Sequence, residues 1–276
     1  MKKFEGMLFC TDLDGTLYGD DRRVSKENLD AIAYFKSEGG LFTFITGRVP
    51  ATTGEIYRLV QPNAPYGCFN GGAIYDGEQN SYLWARTLGE GVKELIDAVE
   101  AEMPEMGIQP NTEKAVYFHR ENPAMEVFRK GCNLPRLLCR LEEIEEPVMK
   151  IVFAHLDVEK IPLLAKLLNE HPRACDFDFI RSESWLYEIL PKGINKGSTL
   201  MKMAELLGIA PENTIAVGDY NNDVSMIGAA GMGFAVENAV EEAKAVADCV
   251  TVDNNHHAIA AIVDRLDRGF VAKNTK

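Results

Sequence analysis

Short apolar runs alternate with amphipathic segments near both ends of the chain, and this alternation constrains the fold most. The first run, at residues 7–10, has apolar side chains on both faces, as in the middle of a parallel sheet. Segments with helical periodicity follow such runs, for example residues 26–37 and 196–207. A strand–helix–strand order predicts a doubly wound parallel sheet with helices on both faces, and therefore an α/β fold.

The pattern changes between residues 87 and 190. Helical stretches mix there with short strands that alternate apolar and polar residues, as in "KAVYFHR", where a strand is predicted at residues 115–119. Alternation predicts a sheet with one exposed face. We interpret residues 87–190 as an inserted α+β domain, with residues 1–86 and 191–276 forming the two segments of the core.

Charge and composition exclude several kinds of partner. Lys and Arg number 29 and Asp and Glu 42, so the formal net charge is −13. Nucleic acid and anionic membrane surfaces both attract basic patches, and we therefore expect neither as a partner. No apolar run reaches the roughly 18 residues of a membrane span, and "MKKFEGMLF" lacks the apolar core of a signal peptide. The six cysteines form no CxxC pair, which favours a cytoplasmic protein.

Two aspartates, Asp12 and Asp14, follow the first predicted strand directly. Aspartate is a poor strand residue, and a carboxylate at the edge of a core is costly unless it is paired or bound to a metal. Taken alone, Asp-Leu-Asp-Gly would be a simple turn. The remaining strand ends decide between a turn and a functional site.

Polar residues also follow other predicted core strands. They are Thr46 and Gly47 after the second strand, Asp219, Asn222 and Asp223 after a later one, and Lys196 at a helix start. The carboxyl ends of the strands in a doubly wound sheet line one crevice, so we expect these side chains to converge there.

This combination of residues suits the chemistry of phosphate. The four carboxylates would repel one another without a cation, and their hard oxygen atoms suit Mg²⁺. Thr46, backbone N–H groups and Lys196 can hold phosphate oxygens, which supplies local positive charge in an acidic protein. Asp12 can then act as a nucleophile on phosphorus. Asp14 can protonate the leaving oxygen and later deprotonate water.

Four segments, in this order, resemble the motifs of the haloacid dehalogenase superfamily: "DLDGTL", "ITGR", "GINKGSTL" and "GDYNND". The segments "FNGGAIYD", "LYEILPKGINKG" and "GFAVENAVEEAKAVAD", together with the inserted domain, resemble its Cof-type sugar-phosphatase branch. The resemblance implies a Rossmann-like core with an inserted α+β cap, Mg²⁺ dependence and hydrolysis of phosphomonoesters.

The resemblance also implies a role for each motif residue. Asp12 is the expected nucleophile and Asp14 the acid/base; Asp12, Asp219 and the backbone carbonyl of Asp14 are expected at the metal; Thr46, Gly47, Lys196 and Asn222 at the phosphate; and Asp223 in support. Asn70 is either a substrate-orienting residue or simply part of an Asn-Gly-Gly turn. The chain departs from the family pattern at His256-His257, where an acidic residue followed by glycine is common.

We therefore predict a cytoplasmic, Mg²⁺-dependent phosphatase of small phosphorylated metabolites, with sugar phosphates favoured. Arg181, Glu183 and Trp185 are candidate substrate contacts in the cap. One alternative is a phosphotransferase or phosphomutase, which would need a second phosphate site in the cap, where no basic cluster is evident. Another is a non-catalytic regulator that binds a phosphometabolite; the presence of every motif acid disfavours it.

Overall fold

The computed structural model describes residues 2–269. Residue contacts divide the chain into two compact units. The first takes Met1–Arg48, Thr53–Trp84 and Asn195–Lys276, as far as these are described, and the second takes Val49–Thr52 and Ala85–Ile194. That residues 87–190 act as a separate cap domain stays a prediction.

Strands and helices alternate through the first unit. Within residues 2–269 the strands are β1 (Leu8–Thr11), β2 (Leu41–Phe44), β3 (Tyr66–Cys68), β4 (Ala73–Asp76), β5 (Ser81–Ala85), β6 (Gly107–Thr112), β7 (Val148–Ala154), β8 (Phe177–Glu183), β9 (Leu186–Pro191), β10 (Thr214–Gly218), β11 (Met232–Ala235) and β12 (Cys249–Val250). The helices in that part are α1 (Lys26–Ser37), α2 (Gly54–Val60), α3 (Val92–Glu102), α4 (Pro123–Gly131), α5 (Lys160–Glu170), α6 (Lys196–Leu207), α7 (Val224–Ala229), α8 (Glu241–Val246) and α9 (Ala258–Asp267).

The first unit is built on a five-stranded sheet in the order β12-β11-β10-β1-β2. The paired strands are all parallel, and β1 lies between β2 and β10. The side chains of β1 and β10 are fully buried, as expected for central strands covered on both faces. This sheet confirms the predicted α/β fold class, and strands β3, β4 and β5 form a small separate sheet.

Two predicted helices have the boundaries that their capping residues indicate. Ser25 accepts a hydrogen bond from the backbone N–H of Asn28, and α1 begins directly after Ser25. Helix α6 begins after Asn195, whose side chain accepts from the N–H of Ser198. It ends at Gly208, which takes the left-handed conformation with φ 67°.

The second unit contains an antiparallel sheet in the order β6-β7-β9-β8. Helices α3 and α5 pack on one face around buried residues that include Leu95, Ile151, Leu164 and Ile189. The predicted strand at residues 115–119 is wrong, because this stretch forms only isolated bridges. Strand β6 was not predicted, since its sequence, "GIQPNT", carries Gly, Pro and Asn, which are turn signals.

The expectation of one exposed sheet face is also wrong for β6, β7 and β9, which are almost completely buried. Charged residues occur among the buried ones. Lys150 donates to Glu188 at 2.7 Å, and the two side chains are only 4% and 3% exposed. Pairing of this kind lets opposite charges lie inside a protein, where an isolated charge would be very costly.

Two further observations bear on the setting of the protein. No helix within residues 2–269 is long and apolar enough to cross a membrane. None of the six cysteines in that part of the chain forms a disulfide. The terminal "VAKNTK", for which the sequence predicts fraying, lies outside the described residues.

Candidate active site

Lys196, the first residue of α6, joins two of the predicted acids. Its Nζ donates to Asp12 Oδ1 at 2.5 Å and to Asp223 Oδ1 at 2.6 Å. All three side chains are buried, and that of Lys196 is completely inaccessible. Burial opposes the charged form of Lys196, but the two carboxylates outweigh it and raise the pKa of the ammonium group. Lys196 therefore stays charged and holds both carboxylates in place.

Asp223 supports the loop after β10 in addition to Lys196. Its second oxygen, Oδ2, accepts hydrogen bonds from the backbone N–H groups of Asp219 and Tyr220, at 3.0 and 3.1 Å. Asp223 thus has partners on both carboxylate oxygens, and it fixes the backbone that carries Asp219. This arrangement agrees with a supporting role.

Asp219 lies against the turn that follows Asp12. Its Oδ1 accepts from the Thr16 hydroxyl at 3.1 Å. Gly15 packs so closely on the carboxylate that a Cβ there would lie 2.5 Å from Asp219 Oδ2, and its φ of 79° also favours glycine. The glycine of "DLDGTL" is therefore required by this contact as well as by its backbone conformation.

Crowding raises the pKa values of two acids. Burial, together with the neighbouring Asp223 and Asp14 carboxylates, raises the pKa of Asp12 to about 7, although Lys196 opposes the shift. Burial and the charges of Asp12 and Asp223 raise the pKa of Asp219 to about 8. A nearby cation would remove most of this cost by favouring the ionised forms.

The donor set fits a hard divalent cation. Carboxylate oxygens of Asp12, Asp219 and Asp223 lie within 4.8 Å of one another. Three carboxylates and the single ammonium group of Lys196 leave two negative charges when all are ionised, which a divalent ion would balance. Because the donors are oxygen atoms, Mg²⁺ suits them better than a metal that prefers nitrogen or sulfur. Asp223 is already occupied by Lys196 and two N–H groups, so Asp12 and Asp219 are the better placed ligands.

Asp14 does not join this carboxylate cluster through its side chain. Arg48 donates to both of its oxygens, from Nε at 2.9 Å and from a terminal nitrogen at 2.5 Å. The guanidinium group also lies over the Tyr18 ring, 5.2 Å from the centroid. Sequence reasoning gave Arg48 little weight, although it directly follows Thr46 and Gly47 in "ITGR". The expected contact between metal and the backbone carbonyl of Asp14 stays a prediction.

The remaining predicted residues form a second group beside β2. Asn222 donates from Nδ2 to Asn70 Oδ1 at 3.0 Å, and Asn70 donates its backbone N–H to the carbonyl of Thr46. Gly47 leaves room for this amide, because a Cβ there would lie 2.9 Å from Asn70 Oδ1. Asn70 is buried with φ 55°, and its Nδ2 has no protein partner among the described residues. A buried N–H donor of this kind suits an anionic oxygen.

Two residues that sequence reasoning missed are Thr16 and Gly15. Both lie within the quoted motif "DLDGTL", but the motif gives no sign of the residue they contact, because Asp219 is about 200 residues away in sequence. The His256-His257 pair does not form a metal site. His256 is exposed and pairs with Asp253 at 2.8 Å, while His257 lies 3.6 Å from Glu27.

Comparison with known proteins agrees with this geometry. A family model described as haloacid dehalogenase-like hydrolase matches residues 9–263. A 5-amino-6-(5-phospho-D-ribitylamino)uracil phosphatase of Bacillus subtilis is 27% identical over 259 residues, which cover 92% of this chain and 94% of that protein. A pyridoxal phosphate phosphatase of Escherichia coli is 27% identical over 270 residues, with 93% and 97% covered.

Solved structures show the same fold. A haloacid dehalogenase-like hydrolase from Bacteroides thetaiotaomicron superimposes with a TM-score of 0.81 at 25% identity, covering 94% of this chain and 99% of that one. The named phosphatases of similar length support the predicted enzyme class, a phosphoric monoester hydrolase. The chain therefore belongs to the haloacid dehalogenase-like hydrolases.

Proposed function

We propose that this protein is a Mg²⁺-dependent phosphatase that hydrolyses phosphomonoesters of small metabolites, with sugar phosphates favoured, through an aspartyl-phosphate on Asp12. The observation that carries the proposal is the buried contact between Lys196 and Asp12 within a cluster of three carboxylates. A structural ion pair would need only one acid. The surplus of acid at the carboxyl ends of β1 and β10 is explained by a cation and an anionic substrate.

The residues divide the reaction into two halves. The carboxylate of Asp12 attacks phosphorus, the bond to the ester oxygen breaks, and Asp14 gives a proton to that oxygen. Asp14 then takes a proton from water, which attacks phosphorus and releases phosphate and free Asp12. Lys196 holds Asp12 throughout, while Asn70, Thr46 and the backbone near Gly47 offer donors to the phosphate oxygens.

Mg²⁺ would be held by Asp12 and Asp219, and it would supply positive charge that offsets the repulsion between these carboxylates and the phosphate dianion. Lys196 alone leaves that repulsion largely uncompensated. This account of the metal rests on the donor set and the charge balance described above.

The two named relatives act on different small molecules that carry one phosphate group. They support a small phosphorylated metabolite as the substrate class here. Sugar phosphates are favoured because the segments around Asn70 and Lys196 resemble the sugar-phosphatase branch. The neutral pairing of Lys150 with Glu188 adds no net positive charge to the cap sheet, and a second phosphate is therefore not expected in the substrate.

The test is phosphate release from a panel of sugar phosphates, nucleotides and p-nitrophenyl phosphate. We expect release with Mg²⁺, none after chelation with EDTA, and recovery when Mg²⁺ is restored. Ca²⁺ should support much less, because its looser coordination misplaces the nucleophile. Asp12→Asn is the control for contaminating phosphatases. Turnover that persists after thorough chelation, or that survives in Asp12→Asn, would contradict the proposal.

A further inference from the structure

We propose that Asn254 and Asn238 are positioning residues that hold the segment after the nucleophile, Gly15–Asp20, and through it the acid/base Asp14. This inference rests on the proposed function, because it concerns the same reaction. It also accounts for the loop before α9, where the chain departs from the family pattern and the two histidines contact only Asp253 and Glu27.

Asn254 donates to the segment after the nucleophile at two points. Its Nδ2 donates to the carbonyl of Tyr18 at 3.1 Å and to Asp20 Oδ1 at 3.0 Å. The residue is only 6% exposed, so these hydrogen bonds are shielded from competing water. Both partners are acceptors, and therefore a side chain with an N–H₂ group is required at this position.

Asn238 extends the same network toward the catalytic acids. Its Oδ1 accepts the backbone N–H of Asn254 at 3.0 Å, and its Nδ2 donates to the carbonyl of Gly15 at 2.9 Å. Gly15 is the residue that packs directly on Asp219. One side chain thus joins the loop before α9 to the peptide that follows Asp14.

Asn255 adds a second pair of hydrogen bonds. Its Oδ1 accepts the backbone N–H of Asp20 at 3.0 Å, and its Nδ2 donates to Asp20 Oδ2 at 3.1 Å. These donors lower the pKa of Asp20, which keeps it an acceptor at neutral pH. The segment is consequently fixed at Gly15, Tyr18 and Asp20.

The step from this network to Asp14 passes through Tyr18. Asn254 fixes the backbone of Tyr18, the ring of Tyr18 lies beneath the guanidinium group of Arg48, and Arg48 holds both oxygens of Asp14. A displaced Tyr18 would allow Arg48 and Asp14 to shift together. Proton transfer is sensitive to small errors in position, so turnover should report this displacement.

The test compares Asn254→Asp and Asn238→Ala with the parent enzyme on p-nitrophenyl phosphate. Asn254→Asp has the same shape but places an acceptor against the Tyr18 carbonyl and the Asp20 carboxylate. Asn238 is exposed, so Asn238→Ala should fold even if the buried change does not. We expect kcat to fall about tenfold in each, with KM changed less than about threefold. Asn213→Asp, the same change outside this network, should leave kcat unaltered.

A coupling measurement separates positioning from mere stability. If Asn254 acts through Arg48, Asn254→Asp should cost much less in an Arg48→Met background than in the parent. Hydrogen exchange at the Asp20 amide should also accelerate in Asn254→Asp. A kcat within about twofold of the parent, or an equal loss in both backgrounds, would overturn the inference. Failure of the proposed function is distinct, because the parent enzyme itself would then release no phosphate.

Discussion

Arg48 grips Asp14 through two parallel hydrogen bonds, from Nε at 2.9 Å and from a terminal nitrogen at 2.5 Å. A guanidinium group and a carboxylate match in this geometry, and the pair fixes the orientation of the carboxylate plane. The side chains are 30% and 52% exposed, so the value of the pair lies in orientation more than in stability.

The first prediction concerns this pair. Arg48→Met should reduce kcat for p-nitrophenyl phosphate by about tenfold, because Asp14 loses its fixed orientation, while the melting temperature changes little. Arg48→Lys should recover only part of the loss, since an ammonium group cannot bind both oxygens in one plane. Arg58→Met, on the exposed side of α2, is the matched control. Full activity in Arg48→Met would remove Arg48 from the mechanism.

The second prediction separates the two aspartates. Asp12→Asn should abolish turnover, since no phosphoryl-enzyme can form. Asp14→Asn should release roughly one nitrophenolate per enzyme rapidly and then turn over slowly, because nitrophenolate leaves without a proton whereas the second half-reaction needs a base. Mass spectrometry of quenched Asp14→Asn should place phosphate on the peptide that contains Asp12. Phosphate on another peptide, or Asp14→Asn turning over at the parent rate, would refute these roles.

The third prediction is a pH dependence of stability in protein freed of metal by EDTA. The pKa of Asp219 rises from 3.8 to about 8 on folding, so the folded state binds more protons than the unfolded state between these values. The free energy of unfolding should therefore fall as pH rises through this window. Asp219→Asn removes the titrating group. It should raise the melting temperature at about pH 8.5 and have less effect at about pH 5.5.

Calorimetry at the two pH values checks this expectation. The exposed change Asp30→Asn serves as the control for loss of one surface carboxylate. If Asp219→Asn lowers the melting temperature equally at both pH values, the carboxylate is not strained in the metal-free protein. The site would then be a structural acid cluster rather than a cation site awaiting its ion.

The fourth prediction concerns the cap. Arg181, Glu183 and Trp185 lie where β8 turns into β9 and bond within that turn: Arg181 to the Ser184 carbonyl and Trp185 Nε1 to Glu183. Changes at these residues should alter the ratio of kcat/KM values among sugar phosphates more than turnover of p-nitrophenyl phosphate. Steady-state kinetics of Arg181→Ala, Glu183→Ala and Trp185→Ala on both kinds of substrate would show this. Loss of aryl-phosphate turnover in folded variants would contradict the division.

Local chemistry explains why some parts were predictable. Ser25 and Asn195 cap their helices in the manner that their side chains favour, so α1 and α6 begin where expected. The acids at the strand ends converge because a parallel sheet brings its carboxyl ends together. Strand β6 escaped prediction because pairing with β7 overrides the turn preference of Pro110 and its neighbours.

The candidate site shows the same limit. A motif names Asp14, but the partner that orients it depends on how two loops meet, and Arg48 could equally have pointed into solvent. Asn254 carries no distinguishing local pattern at all. Its partners, Tyr18 and Asp20, are more than 200 residues away in sequence and become visible only in the folded chain.

The position of β1 within its sheet has a consequence for synthesis of the protein. Leu8 lies opposite Leu41 on one side and opposite Thr214 on the other. During translation β1 can pair with β2 early, but its other edge must wait until almost the whole chain has left the ribosome. An unpaired apolar edge invites pairing with another chain. Nascent copies should therefore depend on chaperones until β10 arrives, and truncation before residue 214 should yield aggregates instead of a smaller enzyme.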